Sequence, residues 1–338
     1  MFRIPVRFRA SGRGSLRRIA RGASVACALV VVAGRLTAQA AVDPRVAPRA
    51  AELEREGERQ VATDLLGRYL AVAPDDGRAW FQLGRFYLLD ARDWHATGHG
   101  GDPDGLLYLD FSATAFDQAI RLLVDSAVVY RDMTEMERAL VFVEDSGWDA
   151  ARERRRRSDA PPPPPFVLEL GTNLLNSCPA SGVLLTGGEL ETFSVWYVSL
   201  ESSVRPDVTP IRPELYATDS LYRRAMAQAL GVDATLPVRR ALAVVAMRRP
   251  VCLTPFADTA AAPALAWQPF RLVRVASPSE RGTEPLSFVD ITRAVRTGTS
   301  TWVPETRAIY NRAAAFNSLL CGSLVLVSGD SPPPACRR

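Results

Sequence analysis

Apolar residues recur every three or four positions between residues 60 and 90, which is the spacing of one face of an α-helix. Pro74 interrupts this pattern, because proline cannot continue a helix. Gly84 lies within the second apolar stripe, where the lack of a side chain would allow a neighbouring helix to come close. The pattern predicts two packed helices separated by a turn. Its positions are Ala62, Leu66 and Tyr69, then, after Pro74, Trp80, Leu83, Gly84 and Tyr87.

These positions resemble the tetratricopeptide repeat, a 34-residue helical hairpin that opens with Trp-x2-Leu-Gly-x2-Tyr and ends in a proline. The resemblance implies a stack of helical hairpins over residues 45–150, and such stacks commonly bind other protein chains. An ordinary amphipathic helical pair gives similar intervals and remains an alternative. The register resumes at Phe116 and Ala119, about 16 residues later than the repeat requires. We therefore expect residues 92–108 to be an insertion in the loop between two helices.

The hydrophobic period changes beyond residue 165. Short apolar runs bounded by glycine or proline alternate there with helical patterns, which favours a mainly parallel sheet covered by helices. Pro304 suits the first turn of a last helix, and Gly322 is its expected stop. We predict strands at 183–186, 208–211 and 250–254, an edge strand at 268–275, and helices at 189–202, 220–230, 238–247 and 304–321.

The predicted fold class is therefore α + α/β. Tetratricopeptide-like hairpins (45–150) precede a small, mainly parallel, Rossmann-like α/β domain (166–330) with C-terminal helices, and a Pro-rich tail (331–338) follows. Residues 151–165 combine a run of arginines with five prolines, which is typical of a solvated polyproline linker. A basic patch that contacts an anionic surface is the alternative interpretation of this linker.

A second resemblance lies in residues 182–208 of the α/β domain. Its matching positions are Thr192, Phe193, Trp196, Tyr197, Arg205, Asp207 and Val208, joined by the later segment RRPVCLTP (248–255). These segments are similar to the soluble part of bacterial membrane proteins related to protein O-mannosyltransferases. The resemblance implies an α/β fold outside the cytoplasm. It implies no transferase activity, because Gly188-Glu189-Leu190-Glu191 replaces the Gly-Asp-Asn-Asp core of that family.

The first forty residues have the features of a signal peptide. They contain eight arginines and no acidic residue, an apolar stretch at 23–34, and the small-x-small cleavage signal Ala38-Gln39-Ala40. We expect cleavage after Ala40 and an exported protein, periplasmic or extracellular, with no transmembrane segment in the mature chain. An uncleaved signal anchor is the alternative.

Removal of this leader changes the charge of the chain. The full sequence has 41 basic and 37 acidic residues, and loss of the eight leader arginines leaves 33 basic against 37 acidic. A net charge of −4 gives no general reason to expect nucleic acid as a partner. The sequence contains no lysine, which excludes a Walker-type phosphate loop and a Schiff-base lysine. No cofactor is predicted.

The turn after the first predicted strand is the main candidate ligand site, at Gly187, Gly188, Glu189 and Glu191. In open α/β sheets, ligands bind beyond the carboxyl ends of the strands. Two carboxylates in the first turn of a helix repel phosphate, so a sugar or a cation suits this turn better than a nucleotide. The structural alternative is a capping box, in which Thr186 and Glu189 cap the helix.

Two further groups of residues can be chemically important. His95 and His99, four positions apart in a glycine-rich segment with nearby aspartates, are a weak candidate metal site. Four cysteines follow the leader, and an even number of cysteines in an oxidising compartment suggests disulfides. We expect Cys321 to pair with Cys336 and Cys178 with Cys252, while a buried free thiol at Cys252 is the alternative.

These features favour an exported, non-catalytic scaffold that binds a protein partner through its helical repeats. That partner could be a membrane protein of the glycosyltransferase-like kind that the second resemblance suggests. No catalytic residue is predicted. The alternative function is a glycan-related enzyme, or an accessory subunit of such a membrane protein, in which the glycine turn contacts sugar.

Overall fold

A computed structural model describes residues 43–99, 101–202, 204–276, 285–298, 300–324, 327 and 334–337. The predicted signal peptide lies outside these residues, as does much of the Pro-rich tail. Among the helices of the described residues, none has both the length and the apolar character needed to cross a membrane.

Five helices form the N-terminal half, and each packs against the next one in the chain. The apolar positions that the sequence pattern identified, such as Ala62, Leu66 and Leu83, are buried between them. Gly84 is needed where the third and fourth helices meet, since a Cβ atom there would lie 2.7 Å from the ring of Phe116. The helices are α1 (Val46–Arg55), α2 (Arg59–Leu70), α3 (Gly77–Trp94), α4 (Pro103–Arg121) and α5 (Ser126–Arg156).

The segment expected to be an inserted loop, residues 92–108, is mostly helical, so that expectation is wrong. Helix α3 runs into a π-helical turn (His95–His99), in which Gly98 has a φ of 82°. Helix α4 starts at Pro103, in the first turn, where proline loses no helical hydrogen bond. The additional residues therefore lengthen two packed helices.

The expected linker at residues 151–165 is also largely built into the fold. Helix α5 continues to Arg156 after a break at Gly147. Arg155 is buried and forms an ion pair with Asp132 of the same helix. The prolines lead directly into α6 (Pro165–Ser177), which the sequence pattern did not predict. One hydrophobic core extends from Leu88 in α3 into the C-terminal half, so this segment does not separate two cores.

The sheet has five short strands in the order β2-β1-β3-β5-β4. The first three are parallel, with Val183 opposite both Thr209 and Val251. The expected single edge strand at 268–275 is instead a hairpin of two antiparallel strands, so the sheet is mixed. The strands are β1 (Val183–Leu185), β2 (Thr209–Ile211), β3 (Val251–Leu253), β4 (Gln268–Phe270) and β5 (Val273–Ala276).

Helices cover this sheet, and others follow it in the chain as far as Leu324. The expected helix at 304–321 stops at Phe316, because Asn317 leaves the helical conformation and its side chain donates to the carbonyl of Arg271. Gly322 is not a helix stop but lies inside a following short helix. The helices are α7 (Glu189–Glu201), α8 (Pro213–Thr218), α9 (Ser220–Leu230), α10 (Val238–Ala246), α11 (Val289–Thr297), α12 (Val303–Phe316) and α13 (Cys321–Leu324).

Two disulfides join parts of this half, and both expected pairings are confirmed. Cys178, just after α6, is bonded to Cys252 in β3, with their Cα atoms 5.9 Å apart. Cys321 is bonded to Cys336, which fastens the end of the chain to the C-terminal helices. The alternative of a free thiol at Cys252 is therefore wrong.

Candidate functional site

A cavity of about 200 Å³ lies where the carboxyl ends of β1 and β2 meet helices α3 and α5. Gly187 lies after β1, and Arg212 and Glu214 lie after β2. Arg92 and Glu137 approach from the helical half, and Glu189 comes from the start of α7. This is the edge of an α/β sheet at which ligands collect in open sheets.

Glu137 of α5 is the centre of the charges in this cavity. Its carboxylate accepts hydrogen bonds from Arg92 Nε at 2.7 Å and from Arg212 Nη1 at 2.9 and 3.0 Å. Burial alone would raise the pKa of Glu137, but the two guanidinium groups hold that pKa well below its ordinary range. Glu137 is therefore an ionised, paired carboxylate.

Glu189 connects the start of α7 to the helical half. Its carboxylate accepts from Arg92 Nη1 at 2.5 Å and from the hydroxyl of Tyr130 at 3.0 Å. Burial and the nearby Glu189 charge raise the pKa of Tyr130, which therefore stays protonated. The capping-box alternative is wrong, because Gly188 is the residue before the helix and Thr186 is held in the sheet by the carbonyl of Ile211.

Glu191 lies below the glycine turn, between β1 and β3. Its buried carboxylate accepts from Thr254 Oγ1 at 2.5 Å and from the backbone N–H of Phe256 at 3.1 Å. Burial raises the pKa of Glu191 to about 7, although these hydrogen bonds act in the opposite direction. At Gly187 an added Cβ would lie 2.2 Å from the backbone nitrogen of Ala257. The chain itself therefore fills this side of the turn.

The four residues of the sequence-based ligand site thus face different surroundings. Gly187 and Glu189 line the cavity. Gly188 faces the side chain of Phe256, 3.5 Å from the position of an added Cβ. The charged partners Arg92, Glu137 and Arg212 were missed by sequence reasoning. One signal was available, since Glu137 lies on the same helical stripe of α5 as Met133, Met136 and Leu140, where a charge needs a buried partner.

A second cluster of charges surrounds His95, which is buried at the end of α3. Its Nε2 lies 2.6 Å from Glu144 Oε1 and 3.7 Å from Asp219 Oδ2, and its Nδ1 lies 3.8 Å from Glu137 Oε2. Burial alone would lower the pKa of His95, but Glu137 and Glu144 raise that pKa to about 9. The expected partner His99 is in the same π-helical turn, and its side chain lies outside the described part.

The outer side of α3 and α4 carries an aromatic surface, formed by Tyr87, Trp94, Leu107, Tyr108 and Phe111. The ring of Tyr87 is 5.3 Å from that of Phe111 and 6.5 Å from that of Tyr108, while Trp94 is 6.5 Å from Tyr108. Leu107 is 45% exposed and Phe111 is 44% exposed. Solvent therefore reaches a continuous group of large apolar side chains.

Comparison with known proteins gives no independent assignment for any of these features. The chain matches no family model, no curated protein and no solved structure.

Proposed function

We propose that this chain is an exported, non-catalytic scaffold that binds a protein partner through the aromatic surface on α3 and α4. The observation that carries the proposal is the exposure of Leu107 and Phe111, one helical turn apart on α4, with the ring of Phe111 beside that of Tyr87. Contiguous exposed apolar side chains mark contact sites, and aromatic residues are enriched at the centre of protein interfaces.

Charged side chains border this surface, as expected at the rim of an interface. Arg59 of α2 pairs with Asp90 and Asp93 of α3 at 2.9 and 2.6 Å. Arg138 of α5 pairs with Asp110, the residue before Phe111, at 2.7 Å. These ion pairs hold charged side chains next to the apolar side chains. An apolar centre with a polar rim is the usual arrangement of a protein interface.

The opposite side of the helical half is the less suitable docking face, because the chain itself covers it. Arg92 and Tyr130 bind Glu189 of α7, and Arg155 pairs with Glu201 at the other end of α7 at 3.1 Å. A partner that docked on these helices would have to break these contacts. The exposed aromatic surface needs no such rearrangement.

An oxidising compartment agrees with this proposal. Disulfides form and persist in such compartments, and the described part of the chain contains two. We place the protein in the periplasm or outside the cell, with a membrane protein of the glycosyltransferase-like kind as the partner that the second resemblance suggests.

The test is affinity capture from the envelope of the producing cells with three forms of the full chain. The double variant Leu107→Ser and Phe111→Ser should lose a partner that the wild type captures. The control Leu319→Ser changes an equally apolar side chain, 90% exposed, in the C-terminal half and should keep the partner. Thermal unfolding of each variant shows that its fold is intact. Equal capture by the double variant and the control would refute this interface.

A glycan-related enzyme or accessory subunit is the second candidate function. The cavity with its paired arginines and carboxylates favours it, since sugar hydroxyls bind such groups. Glu189→Gln changes a carboxylate that lines the cavity, whereas Glu191→Gln changes one outside it. If glycan binding in an oligosaccharide array is lost only with Glu189→Gln, the second candidate is supported. Binding that neither substitution alters, or no binding, argues against this site.

A further inference from the structure

Three side chains from distant parts of the sequence converge behind the cavity. His95 follows α3 directly, Glu144 lies on α5, and Asp219 is the residue before α9. One ligand atom from each lies within 4.8 Å of the other two. All three side chains are buried, with exposed fractions of 4%, 2% and 0% in that order.

The two carboxylate oxygens of Asp219 differ in their hydrogen bonds. Its Oδ1 caps α9 by accepting from the backbone N–H groups of Leu221 at 2.7 Å and Tyr222 at 3.1 Å. Its Oδ2 has no hydrogen-bond partner among the described residues and points towards His95 Nε2, 3.7 Å away. A buried carboxylate oxygen without a partner is costly, so this oxygen has lone pairs that a cation or an ordered water would stabilise.

The charges of the cluster do not balance either. Glu137, on the Nδ1 side of His95, is already neutralised by Arg92 and Arg212. Among the ion pairs of the described residues, Glu144 and Asp219 have only His95 as a positive partner. One imidazolium can neutralise one of these two buried carboxylates. A divalent cation would neutralise both of them.

We propose that His95 Nε2, Glu144 and Asp219 Oδ2 bind one divalent transition-metal ion of the Zn²⁺ type. Imidazole and carboxylates together suit such ions, and three protein ligands leave a fourth position for water. Glu137 Oε2 lies 3.8 Å from the other ring nitrogen, on the side where many zinc sites have an outer carboxylate.

The two distances from His95 Nε2 are close to those of a metal site. Ligands at roughly 2.1 Å in a tetrahedron are about 3.4 Å from one another. His95 and Asp219 are 3.7 Å apart, and the 2.6 Å hydrogen bond between His95 and Glu144 would open by less than about 1 Å. A separate cavity of about 780 Å³, lined by Glu144 and Leu221, borders the cluster on the side of α9.

The experiment is calorimetric titration of the chelator-treated full chain with ZnCl₂, under oxidising conditions that keep the disulfides closed. Asp219→Asn removes one metal ligand but keeps an oxygen that caps α9. Asp76→Asn is its matched control, because Asp76 caps α3 in the same way, accepting from Arg78 and Ala79, outside the cluster. His99→Gln tests the paired-histidine motif of the sequence.

We expect one Zn²⁺ per chain for the wild type, Asp76→Asn and His99→Gln. Asp219→Asn should weaken zinc binding by at least about 10-fold. At the same ZnCl₂ concentration, the thermal unfolding midpoint should rise less in Asp219→Asn than in the wild type. The absence of saturable zinc binding would overturn the proposal. Equal affinities of Asp219→Asn and Asp76→Asn, or loss of binding in His99→Gln alone, would overturn it as well.

Discussion

Replacement of Glu191 by glutamine should change how the stability of this protein depends on pH. The carboxylate of Glu191 is buried, and the groups that face it, Thr254, the Phe256 N–H and the N–H groups of the glycine turn, are neutral. Glutamine has almost the same shape and can keep both contacts, with its oxygen accepting from Phe256 and its amide donating to Thr254. It carries no charge at any pH. The substitution therefore isolates the cost of ionising this position.

The expected magnitude follows from the pKa of Glu191, which burial raises from 4.5 to about 7 in the folded chain. Between these values the folded chain holds a proton that the unfolded chain has lost. The contribution of Glu191 to stability is thus fully present below about pH 4.5 and is lost as the pH rises through 7. At 1.36 kcal/mol per pKa unit, the loss between pH 4.5 and 8 is about 3 kcal/mol.

Urea unfolding at pH 4.5 and pH 8, followed by tryptophan fluorescence and circular dichroism, measures this effect. The two probes must give coincident transitions for a two-state analysis to hold. The free energy of unfolding of Glu191→Gln, relative to the wild type, should increase by about 3 kcal/mol from the lower to the higher pH. Glu58→Gln, an exposed glutamate before α2, is the control and should follow the wild type. A difference between Glu191→Gln and the wild type that is the same at both pH values would refute the reasoning.

Two other substitutions test the packing and the buried charges. Gly171→Ala in α6 would place a Cβ 2.2 Å from a backbone oxygen of α7, and it should lower the free energy of unfolding in urea by about 1–3 kcal/mol. The control is Gly67→Ala, at a helical glycine with open space around it, which should raise the free energy of unfolding by about 0.5–1 kcal/mol. Equal effects of the two substitutions would contradict this packing. Arg155→Met should cost about 3–5 kcal/mol at pH 8 because it leaves Asp132 unpaired. This loss of stability should be smaller at pH 5, because burial raises the pKa of Asp132 to about 7 and the carboxyl is protonated at that pH. Arg156→Met, at an exposed arginine, is the control. If Arg155→Met lost the same free energy of unfolding at both pH values, the pairing with Asp132 would be refuted.

Local patterns in the sequence were sufficient to predict several helices and strands. Helices α2 and α3 follow from apolar residues at helical spacing on either side of Pro74, and β1, β2 and β3 follow from apolar runs that end at glycine or proline. The disulfides could be proposed because four cysteines allow only three pairings. In each case the information lies within a short stretch of chain or in a small set of choices.

Other elements could not be derived from local patterns. Helix α6 is buried on nearly all sides, so it has no polar face to reveal its period. Even Glu169 of this helix is internal, where it accepts from the backbone N–H groups of Val289, Asp290 and Ile291 at the start of α11. The environment of His95 depends on Glu144 and Asp219, and nothing in the neighbouring sequence indicates which distant carboxylates will meet it.

The pairing of Glu137 with Arg212 has a consequence for the order in which the chain can fold. Glu137 is synthesised 75 residues before Arg212, and burial of its charge is favourable only with cations beside it. Arg92 is available early, but the second guanidinium arrives only with the segment after β2. A nascent chain that stops short of residue 212 would therefore keep the inner side of α5 hydrated. We therefore expect the N-terminal helices to pack completely only after the segment that follows β2 has been synthesised.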